Sequence, residues 1–184
     1  MPGISDTRGD IDGERGWYEQ RESADLAQGD LLIDFPAASI SWDRVDAAAL
    51  KIAQSKIPVV VLTQTCDIPK AAQTEIMLAA IFPLSEYEEM GGHYVSSDFR
   101  KALSQGTAIS DFALPSIPGL GPGYWVVNFR KLFVLPKAYV QSVAASGQRC
   151  SLRSPYREYF AQAYARFVMR VGLPLPLPEI PRAT

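Results

Sequence analysis

The chain of 184 residues contains one histidine and two cysteines. A single imidazole, His93, excludes a metal centre built on several histidines. Any Ser-His-Asp or Cys-His arrangement would have to use that same residue. Cys66 and Cys150 lie far apart in the chain and form neither a disulfide framework nor a zinc spacing. They read as free thiols in a reducing cytoplasm. An excess of basic charge is also missing. Lys and Arg number 18 against 20 Asp and Glu, for a net charge of −2, so bulk charge does not indicate a nucleic-acid-binding domain. No run approaches the roughly 18 apolar residues of a membrane span. The polar, acidic opening from Met1 to Asp10 does not resemble a secretory leader. The expectation is a cytoplasmic protein that meets no membrane.

What is present is a globular composition, 47% hydrophobic and 21% charged. The length suits one domain with a real core. Residues 1–24, rich in Gly, Asp, Glu and Arg, read as a disordered or loosely packed lead. Residues 25–172 read as a single domain. Residues 173–184 begin Leu173-Pro174-Leu175-Pro176-Leu177-Pro178, which excludes helix and central strand. That segment is expected to be extended and polyproline-like, packing on the body or meeting a partner.

The organising stretch is Ile57 to Ile68. Val59-Val60-Val61 is an unbroken β-branched run, read as a strand buried on both faces, with Pro58 at its start. Leu31 to Phe35 gives an earlier strand, closed by Pro36. Residues 37–55 read either as a loop or as a short helix capped by Asp43 or Asp46. Thr74 to Leu84 is a third apolar run, helical by propensity but read as a strand because it is short, ends at Pro83 and has no polar face, and residues 85–90 and 98–105 suit short helices. A loop rich in Pro and Gly spans residues 113–123. Two strands follow, Tyr124 to Phe129 and Lys131 to Leu135, around a corner at Asn128 to Lys131. Pro136 to Val143 reads as a short helix. Ser154 and Pro155 mark the start of the clearest helix, with Tyr156, Phe160, Ala163, Tyr164, Phe167, Val168 and Val171 on one face. The order of elements predicts a mainly β fold with α: a small, mostly antiparallel barrel with a long C-terminal helix.

Polar residues where a core strand leaves the core need partners or a ligand. Gln64-Thr65-Cys66-Asp67 occupies that place. Three readings stand: backbone-bonding residues around a small buried Cys66, a binding site, or a cysteine nucleophile served by His93. Asp67 beside the thiol disfavours the thiolate. Arg130 and Lys131 read either as a solvated corner or as cations for Asp67 or a phosphate. Arg149, Arg153, Arg157, Arg166 and Arg170 make the later chain locally basic, as a solvated helix face or as a track for a nucleic-acid backbone. Asp30 and Asp34 have strand spacing and read as sharing one face, without enough acidic partners for a metal. Gly119, Gly121 and Gly123 follow no helix-opening strand, so no phosphate-binding fingerprint and no cofactor is implied.

Gln28 to Pro36, Ile57 to Thr63 and Ile76 to Pro83 together resemble the MazF/PemK toxins, with a G-D strand ending in D-F, a P-V-V-V-L strand and a third strand ending at proline. The resemblance covers about residues 28–84. It implies an SH3-like barrel, endoribonuclease activity on messenger RNA and an antitoxin partner. In that pattern a catalytic arginine follows the first strand, where this chain has Arg44, and a catalytic threonine follows the third, where it has Ser85. The L-T-Q-T-C-D motif and the block from Ser154 to Pro174 also resemble a group of small uncharacterised bacterial proteins, which implies no activity. The expectation is an interaction module of a toxin–antitoxin or defence-type system that binds a protein or RNA partner, with ribonuclease activity reduced or absent. The alternatives are an active endoribonuclease drawing its cation from Arg130 or Arg153, and a cysteine-dependent enzyme using Cys66 and His93. The candidate binding residues are Gln64, Thr65, Arg44, Arg130 and Arg153; the candidate catalytic ones are Cys66, Asp67 and His93. No cue to oligomeric state is present.

Overall fold

A computed structural model describes residues 16–21, 23, 25–42 and 50–169, with the backbone alone for residues 39–42 and 50–52. The strands are β1 (Tyr18–Gln20), β2 (Asp30–Trp42), β3 (Leu50–Val61), β4 (Glu75–Pro83), β5 (Asp111–Leu114), β6 (Trp125–Pro136) and β7 (Arg149–Leu152). The helices are α1 (Leu84–Glu89), α2 (Ser97–Ser104), α3 (Lys137–Ser146) and α4 (Tyr156–Val168), with a 3-10 turn at Gly92–Val95. All seven strands join one antiparallel sheet in the order β1-β7-β2-β3-β4-β6-β5.

β3 lies in the middle of that order. Its β-branched residues alternate between two cores, as a strand with both faces covered requires. Val60 and Leu62 join the cluster that contains Phe160 and Ala163 of α4. Val59 and Val61 join the cluster that contains Val140 and Ala144 of α3. Towards β5 and β6, Tyr87 of α1 and Phe99 and Leu103 of α2 close over Val126.

The ladder does not close into a barrel, because β1 and β5 remain its two edges. The edges meet through a side chain instead, as the Tyr18 hydroxyl donates to the Pro115 carbonyl at 2.8 Å. The mainly antiparallel sheet and the helix near the chain's end match the sequence reading; the closed barrel does not.

Several segments differ from their expected form. Tyr18–Gln20, placed by sequence in the loose lead, pairs with β7, and Trp17 stacks on Tyr156 at 3.9 Å. β2 runs through Pro36 to Trp42, and its partner β3 begins at Leu50, so the flanks of the anticipated loop or helix form a two-stranded ribbon. Residues 43–49, including both proposed caps, lie outside the described residues. Pro58 is inside β3 rather than at its start. It faces the register shift between Leu32 and Phe35, where a missing N–H costs no regular ladder bond. The same shift breaks strand phase, so Asp30 is buried while Asp34 is exposed. Residues 125–136 form one strand, with Phe129, Arg130 and Lys131 bulged out between Asn128 and Leu132. Ser154 does not cap α4, which starts after Pro155, and Val168 is exposed.

The start of β2 is held by a buried carboxylate. Asp30 is fully buried. It accepts from the Ala27 N–H at 2.9 Å and from the Ser151 hydroxyl, and Arg149 and Arg21 approach it at 3.6 and 3.9 Å. Burial raises its pKa above the ordinary aspartate value, and the hydrogen bonds and guanidinium groups pull it back. Arg149 also donates to the Ser23 and Asp25 carbonyls, fastening the segment that leads from β1. Gly29, at φ +84°, makes the preceding turn; a Cβ there would meet the Leu152 Cβ and the Arg157 side chain at 3.3 Å.

Arg149→Leu leaves Asp30 with one guanidinium fewer, so its folded pKa rises further. Below about pH 3 the carboxyl is largely protonated in both folded and unfolded chains, and the stability deficit against wild type is smallest. The deficit grows as pH rises through the raised folded value, towards about 3 kcal/mol at neutral pH. Urea denaturation between those limits checks this; a deficit constant with pH would contradict it.

Candidate functional site

The tetrad after β3 is a tightly bonded turn. The Gln64 carbonyl accepts from the Asp67 and Ile68 N–H groups, at 2.9 and 3.2 Å. The Thr65 hydroxyl accepts from the Gln28 N–H at 3.1 Å, and Asp67 pairs with Lys70 at 2.5 Å. Lys137 at the start of α3 donates to the Ile68 and Lys70 carbonyls, both at 3.1 Å. Ile68 is anchored in the core under α3. Of the side chains expected to bond the backbone of a neighbouring loop, Thr65 does so, whereas Asp67 pairs with the Lys70 side chain and Gln64 holds the turn through its main-chain carbonyl. Cys66 departs from expectation: its thiol is exposed, with the Gln64 amide oxygen at 3.7 Å, rather than filling a small buried site.

His93 lies elsewhere. The tetrad adjoins the start of β4, whereas His93 follows its end, packed against Tyr94 and Phe99 at ring separations of 4.5 and 4.9 Å. A Cys66–His93 dyad needs hydrogen-bond reach; in the structure the Cys66 thiol contacts Gln64, while His93 packs against Tyr94 and Phe99. Cys150 is buried, and desolvation aided by the Asp30 charge pushes its thiol up to about 12. It is therefore no nucleophile at neutral pH.

Two of the sequence-selected residues do come together. His93 and Arg130 both line a cleft of about 460 Å³ between α2 and the β6 bulge, with Ser96, Asp98 and Asp111. Asp111 is already engaged there, accepting from Tyr87 at 2.9 Å and from Ser110 at 2.6 Å. Burial and the Asp111 charge hold the Tyr87 phenol above its usual range, so it stays a donor. Arg44 lies outside the described residues. Arg153 is exposed between β7 and α4, and its backbone N–H bonds the Trp17 carbonyl. Among the described residues, three of these arginines have separate partners. Arg149 is committed to Asp30, Arg157 contacts Glu158 at 3.3 Å, and Arg166 donates to the Gly106 carbonyl at 2.9 Å. Arg170 lies outside the described residues.

A larger cleft, of about 730 Å³, runs along α4 and was not anticipated from sequence. Tyr156, Tyr159, Gln162 and Arg166 line one side. Their spacing puts them on one face of the helix, adjacent to the core stripe of Phe160, Ala163, Tyr164 and Phe167. Trp17 and Tyr124 line the cleft from the β1 and β6 sides, over Phe112 and Leu103. Trp17 and Tyr156 are nearly parallel, at 13°, and Tyr159 meets Tyr156 edge-on at 6.5 Å. Tyr124 and Tyr159 remain 64% and 55% exposed, although large aromatics are usually covered. The cleft offers aromatic faces, side-chain amides from Gln105 and Gln162, and one guanidinium. That chemistry suits holding a ring-bearing or extended apolar ligand. The sequence signal was Tyr159, an aromatic one step out of phase with the core stripe. Trp17 and Tyr124 come from distant segments, and no local pattern links them to it.

Among the described residues no group of three or more His, Cys, Asp or Glu side chains could hold a metal ion. No helix among them is long and apolar enough to cross a membrane.

The thiol assignments predict that an aromatic disulfide reagent titrates one cysteine in the folded chain and two in denaturant. Two rapid equivalents in the folded chain would contradict the burial of Cys150.

No protein family, curated protein or solved structure matches this chain.

Proposed function

We propose that the chain acts by binding rather than by catalysis, as an interaction module of a toxin–antitoxin or defence-type assembly with ribonuclease activity reduced or absent. The site is the aromatic cleft along α4, and its partner is a protein that presents an extended, proline-containing segment. The carrying observation is the set of four aromatic residues, Trp17, Tyr124, Tyr156 and Tyr159, that line one cleft with two of the rings more than half exposed. Grooves of this kind take polyproline-type segments, because the ligand is already extended and loses little entropy on docking. A polyproline backbone has no internal hydrogen bonds, and Gln105 and Gln162 provide amides to meet it. The stacked Trp17–Tyr156 pair is ordered in advance, which lowers the cost of binding. The single guanidinium in the cleft, already bonded to Gly106, favours such a peptide over a phosphate backbone.

Titration with an oligoproline peptide, followed by nuclear magnetic resonance, tests this. Saturable binding is expected. Tyr159→Ala should weaken it by about tenfold or more, the loss of roughly 1.4 kcal/mol. The exposed position of Tyr159 means that the fold should survive. Equal affinity in wild type and variant would remove the cleft as the site.

One observation favours a second reading, an active endoribonuclease: His93 and Arg130 share the smaller cleft. An imidazole and a guanidinium are the groups that phosphodiester cleavage asks for, as base and as cation at the phosphate. On that reading, purified protein cuts single-stranded RNA, and both His93→Ala and Arg130→Ala reduce the rate at least about a hundredfold. Absence of cleavage, or cleavage unchanged in both variants, rejects it.

A further inference from the structure

β6 is covered along only part of one side. β5 pairs with it from Trp125 to Asn128, and beyond the bulge Leu132 to Pro136 pair with β4 alone among the described residues. The direction of the free backbone groups follows from β4. The Met77 carbonyl accepts from the Leu62 N–H, and the Met77 N–H donates to the Thr63 hydroxyl, both at 2.8 Å, so both groups turn towards β3. Val134, opposite Met77, therefore makes no ladder bond to β4 and turns its N–H and C=O outward. The Lys137 N–H bonds the Thr74 carbonyl, which fixes the same alternation from the other end of the strand. Leu132, two residues before Val134, shares its phase, so four backbone groups face the open side. The side chains of the same two residues are uncovered, Leu132 at 38% and Val134 at 52%, while Phe133 and Leu135 pack into the cluster with Val140 of α3. Pro136 has no N–H and ends the ladder. None of these residues lines the aromatic cleft. Residues 170–184, with the proline-rich segment, lie outside the described residues.

Arg130 and Lys131 stand at the head of this edge. Both are exposed, and neither forms an ion pair among the described residues. Charges at a strand's edge guard it against pairing with a copy of itself. In the two-fold pairing that would satisfy all four backbone groups, Leu132 of one copy faces Val134 of the other, and Lys131 then faces Leu135 rather than an anion. An acidic strand meets both needs at once, because it completes the ladder and neutralises the cations. We propose that β6 takes an added strand from a partner protein at Leu132–Pro136. The partner presents an extended segment, antiparallel to β6, with apolar side chains beside Leu132 and Val134 and carboxylates at its C-terminal end against Arg130 and Lys131. The added strand extends the row that β5 begins on this side of β6. Main-chain hydrogen bonds supply the affinity, and charge selects the partner.

The test uses the full chain and two synthetic peptides, acetyl-Thr-Val-Thr-Val-Thr-Glu-Glu-amide and the same sequence ending in Lys-Lys. Affinity and amide exchange are read by nuclear magnetic resonance. Saturable binding of the acidic peptide is expected, with slowed exchange of the Leu132 and Val134 amides. The lysine-ended peptide should bind at least about tenfold more weakly, and Lys131→Glu should abolish that preference. Val134→Pro, which removes one outward N–H, should weaken the acidic peptide by at least about tenfold, with the amide spectrum reporting the fold. Lys131→Glu changes an exposed bulge residue, so the charge test stands even where Val134→Pro unfolds the chain. Binding of neither peptide, equal affinity for both, or binding that leaves the Leu132 and Val134 amides unprotected overturns the proposal. Protection of those amides that rises with chain concentration in the absence of peptide places a second copy on the edge and overturns the partner assignment.

Discussion

The Asp30 carboxylate is the constraint on which the arrangement depends. It is fully buried at the point where the turn at Gly29 becomes β2, beside the pairing of β2 with β7. A charge cannot be taken out of water without partners, and here the partners come from separate pieces of chain. The Ala27 N–H closes the turn, Ser151 belongs to β7, and Arg149 reaches both the carboxylate and the carbonyls of Ser23 and Asp25. One buried group thereby fixes the turn, a short strand and the approach to β1. Trp17 and Tyr18 follow from that placement. Without β7 in position, β1 has no partner, and the aromatic cleft loses its Trp17 wall.

The central strands need no such device, because hydrophobic burial on both faces holds them. Val59, Val60 and Val61 are wholly buried, with α3 on one side and α4 on the other. The two systems divide the labour. Burial places the sheet centre and its helices, while polar bonding places the edges and the turns. The tetrad after β3 belongs to the second system. The Gln28 N–H donated to Thr65, and the Lys137 bonds to the Ile68 and Lys70 carbonyls just beyond the tetrad, tie the β3–β4 turn to the turn before β2 and to α3.

The parts legible in the sequence are those with strong local periodicity. The end of β3 at Val59–Val61 and β4 from Ile76 to Phe82 are apolar runs, and α2 and α4 carry apolar residues at helical spacing. β1, β5 and β7 were missed because each has only three or four residues and draws its stability from a neighbour rather than from its own pattern. The two register shifts, at Leu32/Phe35 and at Ala79/Ala80, changed the phase of strands that local reasoning treated as regular. Of the candidate site, sequence separation said nothing of the cleft that His93 and Arg130 share. The aromatic cleft was hidden as well. Its rings come from the residues just before β1 and β6 and from α4, and only the fold assembles them.

The β2–β3 ribbon has a consequence of its own. β7 pairs with β2 only through Leu32, and β4 pairs with β3 only through Val59, yet the two strands stay paired out to Trp42 and Leu50. Beyond the body, no third strand among the described residues flanks the ribbon. A two-stranded hairpin is marginal by itself. Its backbone amides exchange with solvent through an opening event of their own, at a lower free energy than global unfolding. The sheet thus combines a core of several strands with a two-stranded extension whose opening does not require the core to open.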